Sequence, residues 1–523
     1  MKRSVAACSL TAVVLSMVVL LITPALGDDT YPIPAVQIPN SSILPNNKVQ
    51  PVAAFIGQPA VADPISDATP VPQNPFMAED PWNSIHNDSY ASDTYPNPGP
   101  LGKNPVVSST WLGTEQDPAA LVVGMTFDSA NDLIIAASIK IVSADGTAGV
   151  QLTLIDATTL ATLAIFELPK EILVSKHFRP AGAYFYMDNH NRIVIGTKDR
   201  TVFVVSYSYD SGAGAWSFHH DNEADPWDLT NDIPQGDLIE ALQPDWSGRL
   251  WFTSKGGVVG TLDMGTGKVI GSLQLPGERI VNGHAAGEEG GVYIASTLAM
   301  YRFDADSEGY PTIKWRSTYD AGTHVKEGQV DIGTGTTPTL MGDKYVTITD
   351  NGQPRMHVLV YDRDDGRLVC AEPVFQPGQA SNENSLIATD KSIIVENNFG
   401  YKVPEKDTTH GRTTKPGIAR IDVDENGACN TVWTNESISI PSVISKMSLA
   451  NGLIYTYTKP KGPATTDPWY FTAIDFHTGT TVYRQLAGIG VLYNNHYAGA
   501  YLGPDGTLYV GVVGGIVAMR DGE

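Results

Sequence analysis

One composite unit recurs along this chain from about residue 104 to its end, and it constrains the fold more than any other feature. Its first part is a tight turn of Gly, Asn or Asp followed by alternating β-branched or aromatic residues. It occurs eight times, at 128–138, 188–197, 245–254, 288–296, 341–350, 389–397, 450–458 and 504–512. Gly, Asn and Asp accept the positive φ that a hairpin turn demands, and Val, Ile, Tyr and Thr suit the pleated strand that follows. Its second part is another hairpin that ends in an aromatic or small residue, at 154–164, 262–271, 302–315, 360–370, 420–433 and 473–483, with a looser copy at 208–216. Successive first hairpins lie roughly 42 to 61 residues apart. That is the period of a four-stranded propeller blade.

The eighth unit begins a second hairpin at Asp521 but has no residues left for the outer strand. Near the other end, 104–113 reads as a strand with no hairpin before it, leading into the inner strand of the first unit. The economical solution pairs the two, with Trp111 in the place held elsewhere by Trp315, Trp433 or Tyr483. The expected fold is therefore all-β: an eight-bladed propeller of four-stranded blades, closed by an N-terminal strand that completes the last blade and so removes exposed sheet edges.

The repeats bound the domain organisation. Residues 1–27 carry Lys2-Arg3, an apolar run from Leu10 to Ile22 and small residues before Asp28, the pattern of an export signal. The run is shorter than the roughly 20 residues that span a bilayer, so a stable membrane anchor is not expected. Residues 28–80 hold Pro at short intervals and read as an extended, loosely held leader. The propeller then occupies 81–523. A formal charge of -23, from 57 acidic against 34 basic residues, argues against nucleic acid as a partner. Removing the signal leaves Cys370 and Cys429. Because they fall in different blades, free thiols are expected.

The stretches 473–488 and 503–522, with their Asp-x-x-Thr-Gly turn, resemble the repeat of quinoprotein-type propellers, the PQQ-like superfamily, in which a docking Trp follows. The segment 80–102 looks like the Trp-containing lead-in of the same group. The resemblance implies a propeller, and in its dehydrogenase members PQQ and alcohol oxidation. Those members carry a vicinal Cys-Cys pair beside the cofactor, which this sequence lacks, so PQQ is not expected here.

In a propeller, the loops that lead into the inner strands surround one mouth of the axial channel, and such loops carry function on a rigid scaffold. Six of them are rich in hydrogen-bonding groups: His177 and Arg179; Asn282 and His284; Asp331 and Thr334; Asn382, Glu383 and Asn384; Lys446; Asn494, Asn495 and His496. They are expected to converge on a small-molecule or metal site. His284, His496 and Glu383 are the candidate acid, base or ligating groups. His177, Arg179, Asn282, Asn382, Asn384, Lys446 and Asn495 are candidate ligand contacts. Asp331 and Glu383 offer oxygens suited to Ca²⁺. The alternative for each is a turn or core role.

The half calcium loops at 304–309 and 422–427 read as hairpin turns, since Trp315 and Trp433 stand where a bidentate Glu belongs. His219 and His220 would chelate together only in a loop, because adjacent strand residues face opposite ways. Two long insertions, 397–417 and 457–470, are expected to project over the mouth as a lid or as surface loops. No P-loop, dinucleotide fingerprint or nucleophile elbow is present. Three functions fit: a binding propeller, an oxidoreductase or Ca-assisted hydrolase or lyase, and a protein-interaction scaffold resembling outer-membrane assembly propellers.

Overall fold

Eight four-stranded antiparallel blades, seven of them built from four consecutive strands, make up this computed structural model, which describes residues 31–142, 146–172 and 184–523. The export-signal reading at 1–27 and the candidates His177 and Arg179 lie outside the described residues. Blades 1 to 7 take their strands in chain order from 120–167, 186–220, 239–274, 285–318, 339–374, 387–435 and 446–489. Blade 8 takes three from 500–520, and Val106–Trp111 pairs antiparallel with Gly515–Arg520, from Val106 opposite Arg520 to Trp111 opposite Gly515. The closure expected from the two incomplete ends is thus present.

Turn chemistry places the hairpins as the sequence requires. Asp132, Asn191, Gly248, Gly290, Gly342, Gly452 and Gly506 hold positive φ in seven of the eight first hairpins. Second strands such as Leu453–Thr458 are buried at every position, whereas outer strands such as Cys429–Asn435 are largely open. Period-two alternation marks a sheet with one wet face; here neighbouring blades cover both faces of the inner strands.

The aromatic residues of the outer strands lock blade to blade. Trp315 of blade 4 donates its indole N–H to Arg363 O of blade 5 at 2.9 Å, and Trp433 of blade 6 to Phe476 O of blade 7 at 2.9 Å. Each ring lies on a turn glycine of the next blade: a Cβ at Gly366 or Gly479 would come within 2.5 Å of it. Tyr483 instead packs on Gly102 and donates to Pro100 O at 2.7 Å, because at that junction the N-terminal lead-in replaces the turn. Trp111 departs from expectation. It sits at the far end of its strand, opposite Gly515, and donates to Pro118 O at 3.0 Å in the connection to blade 1.

Two further expectations are corrected. The proline-rich segment is extended from residue 31 onward but is not loosely held. Ile38, Ala60 and Ile65 are buried, Phe55–Gly57 adds a strand to the outer edge of blade 7, and Ile33 exchanges backbone hydrogen bonds with Thr162 of blade 1. Cys370 and Cys429 are disulfide-bonded with Cα atoms 5.8 Å apart. They lie on the outer strands of blades 5 and 6, which are adjacent, so belonging to different blades does not separate them.

Candidate functional site

Inner strands of a propeller present backbone N–H and C=O groups toward the axis, and these need partners. Residues 81–102 supply them by passing through the channel along all eight blades. Trp82 O accepts from Phe127 of blade 1, Asn83 O from Met187 of blade 2, and Ser89 O from Gln243 Nε2 of blade 3 and Ala286 N of blade 4. Tyr90, Ser92 and Asp93 carbonyls accept from Leu340, Ala388 and Met447 of blades 5, 6 and 7, and Trp82 Nε1 donates to Leu502 O of blade 8 at 2.8 Å. Every residue from 83 to 95 is buried. Asn87, Ala91 and Asp93 take positive φ so that the short polar run can follow the curve.

The loop residues singled out from the sequence meet this axial segment or one another. Lys446, fully buried, donates through Nζ to Ile85 O at 2.7 Å and is ion-paired with the buried carboxylate of Asp93. Ser385 Oγ lies 2.9 Å from His86 Nδ1 and donates to Asp93, whose Oδ1 is 3.3 Å from His86 Nδ1. Burial alone would raise the Asp93 pKa, but Lys446 and His86 hold it below the usual carboxylate value, while burial pulls Lys446 down against the pull of Asp93. Close by, Asn384 Nδ2 donates to Glu396 at 3.1 Å and to Val443 O at 2.7 Å. Burial lifts Glu396 to about 7 and Asp88 to about 7.

His284 lines a cavity of about 20 Å³ with His86, Tyr184 and Gln243, and burial depresses its pKa to about 4, so it is neutral near pH 7. A space of that size holds a single water or ion and no organic ligand. His86 Nε2 is buried without a hydrogen-bond partner among the described residues. The axial cluster therefore resembles a reactive Ser-His-Asp set in composition, while its burial makes it an anchor of the channel segment.

The remaining candidates occupy other surroundings. Asn282 Nδ2 donates to Thr334 O at 3.2 Å, and Asn382 closes an Asx turn with Asn384. Both oxygens of Asp331 accept from Arg279, at 2.8 and 2.6 Å, and Glu383 accepts Val330 N at 3.0 Å, so a cation at Asp331 would have to displace a guanidinium. His496 Nδ1 is 2.9 Å from Tyr401 Oη, Asn494 accepts from the same hydroxyl, and Asn495 Nδ2 donates to Ala498 O. His284, Glu383 and His496 are thus set in three different environments. Among the described residues no group of three or more His, Cys, Asp or Glu side chains is arranged to hold a metal ion. His219, on the outer strand of blade 2, bonds Ser208 of the strand beside it, and His220 stacks on Phe203 at 4.0 Å. Asp306 and Asp424 accept backbone N–H groups of their own hairpin turns.

A space large enough for a ligand lies between the two long insertions. They are fastened together: Asp467 accepts His410 N and Gly411 N, and Gly462 N donates to Gly411 O at 3.1 Å, while Lys459 pairs with Asp467 at 3.0 Å within the second insertion. With residues 437–439 of the connection between blades 6 and 7, Arg484 of the outer strand of blade 7 and Glu327 of the connection before blade 5, they wall a cavity of about 770 Å³. Phe399, Ile438, Pro416 and Pro460 give it apolar surface; Arg412, Lys415, Lys461 and Arg484 give it positive charge; Glu327 and Asp407 are its acidic members. Sequence reasoning placed the insertions on this face but missed the cavity. The available signal was the concentration of Lys and Arg at 402–415 and 459–461 in a strongly acidic chain.

No known family model matches the chain. A relative from Archaeoglobus fulgidus, described as an uncharacterized protein, is 27% identical over 327 residues, which is 56% of this chain and 63% of that protein. The chain therefore matches less than two thirds of that relative's length. Solved structures similar to it include BamB from Moraxella catarrhalis, at 13% identity and TM-score 0.46 over 79% of this chain and 99% of that one. A europium-containing methanol dehydrogenase follows, at 11% identity and TM-score 0.48 over 84% and 98%. The propeller assignment rests on the eight four-stranded sheets themselves, and neither neighbour carries an activity or a partner across to this chain.

Proposed function

We propose that this protein is a small-molecule-binding propeller, exported through its N-terminal segment, whose ligand occupies the cavity between the insertions of blades 6 and 7 and not the axis. One observation carries the reading: about 770 Å³ of space lies on the face where ligand loops were expected, while the axial cavity is about 20 Å³. Pockets for small molecules run from about 300 to 1,000 Å³ and combine apolar walls with a few directed polar groups. Phe399 and Ile438 supply the first, and Thr414 and the cationic side chains the second. The axial segment supports this role by holding the blades in a fixed arrangement under the insertions.

The test is a thermal-shift screen of sugars, polyols, amino acids, carboxylates and nucleotides on the wild type and on Ser437→Trp, which places an indole at the exposed lining position 437. A ligand that binds only the native state raises Tm with its concentration. At least one compound is expected to raise the wild-type Tm and to leave the variant unchanged. A screen in which no compound separates the two proteins refutes the pocket.

A further inference from the structure

We infer that the ligand of this cavity is an organic oxyanion bearing carboxylate or phosphate groups, an inference that rests on the pocket reading above. The argument comes from how this chain treats its arginines. Of the thirteen arginines among the described residues, Arg192, Arg249, Arg279, Arg302, Arg316, Arg363, Arg367 and Arg420 each have a carboxylate partner within 4.0 Å, Arg355, Arg412 and Arg520 are exposed, and Arg200 donates to the carbonyl oxygens of Thr230 and Ile233. Arg484, half-buried on the outer strand of blade 7, has no carboxylate partner among the described residues, and its Nε is buried without any hydrogen-bond partner. Burial lowers its pKa, with Tyr470 opposing weakly. A half-buried guanidinium left unpaired is costly, and a carboxylate or phosphate is its best complement, since the planar fork donates two parallel N–H bonds.

Three more cations line the same cavity. Lys415 and Lys461 have no carboxylate partner among the described residues, and Arg412 donates only to Thr409. Of the two acids present, Asp407 already accepts Lys402 N and Val403 N at 2.7 Å through Oδ2. The balance of four cations to two carboxylates reverses the composition of the whole chain, where acidic residues outnumber basic by 57 to 34. The apolar side, Phe399 and Ile438, calls for a carbon skeleton on the ligand and so disfavours a bare inorganic ion as the natural occupant.

Isothermal titration of the full chain with citrate, inorganic phosphate and neutral galactose at matched ionic strength tests the inference. Citrate is expected to bind, more weakly as salt rises, with phosphate weaker than citrate. Arg484→Met is expected to lower citrate affinity about tenfold or more, the scale of one charge-assisted hydrogen bond, while its unliganded Tm stays level or rises. A fall in unliganded Tm with unchanged citrate affinity makes Arg484 structural and overturns the inference. Galactose binding that Ser437→Trp abolishes, without oxyanion binding, overturns the charge assignment and preserves the pocket. Binding of none of the three probes overturns the inference, and the thermal-shift screen then decides separately whether the pocket stands. Binding of phosphate but not citrate separates a phosphate-bearing ligand from a carboxylate-bearing one.

Discussion

Replacing Lys446 by Met removes one half of an ion pair whose two side chains are fully buried. The Asp93 carboxylate would then retain Ser385 and His86 but no formal counter-charge. Removing one partner of a buried pair costs about 3–5 kcal/mol, because a charge remains in a medium that solvates it poorly. Asp93→Asn should cost a similar amount by stranding the ammonium, which keeps Ile85 O as acceptor. The double variant should be less destabilised than the sum of the singles, by about 1–3 kcal/mol, since each second change removes the stranded charge. The pH dependence gives a sharper readout. In the wild type the Asp93 pKa is depressed, so its contribution is present above the unfolded value, about 4, and is lost as pH falls. Without Lys446 the dominant remaining influence is burial, which raises it. The contribution of Asp93 would then be present below about pH 4 and lost as pH rises. The penalty of Lys446→Met should therefore be smaller at pH 5 than at pH 8. Denaturant midpoints with unchanged slope measure it. Singles that cost under about 1 kcal/mol, or a strictly additive double variant, would refute the anchoring role and return Lys446 to the ligand-contact role first read from its position.

Three other outcomes follow from the same reasoning. Glu396, raised to about 7 by burial, holds a proton in the folded state that it loses when unfolded, so its contribution is present below about pH 4.5 and is lost as pH rises through 7. Glu396→Gln should flatten that slope, gaining up to about 3 kcal/mol relative to wild type at pH 8 in denaturant titrations. Gly479→Ala places a Cβ within 2.5 Å of the Trp433 ring at φ +72, and should cost about 2–4 kcal/mol. Gly277→Ala, at φ +77 with open space around it, should cost about 1 kcal/mol; equal losses would mean that the Trp contact contributes nothing. Replacing both Cys370 and Cys429 by Ala should lower stability by about 2–4 kcal/mol, read from the denaturant midpoint, as expected for a cross-link over a separation of 59 residues.

Blade number and ring closure were legible in the sequence because their causes are local. A positive φ at Gly452 or Asn191 and the β-branched run beside it act within a few residues. The unpaired strand Val106–Trp111 could satisfy its backbone only where a strand was missing. The loops that carry the polar groups were also located from the repeat. What those groups do was decided by tertiary structure. Lys446 and Asp93 stand 353 residues apart, and no spacing in the chain pairs them. The polar run 83–95 has no periodicity that marks it as the lining of an axis, because its shape is dictated by eight inner strands and not by its own propensities. Cys370 and Cys429 meet through the packing of two sheets. The cavity lies where two separate insertions meet, with Gly462 N bonded to Gly411 O. Local physics made the blades; the apposition of distant segments made the anchor and the pocket.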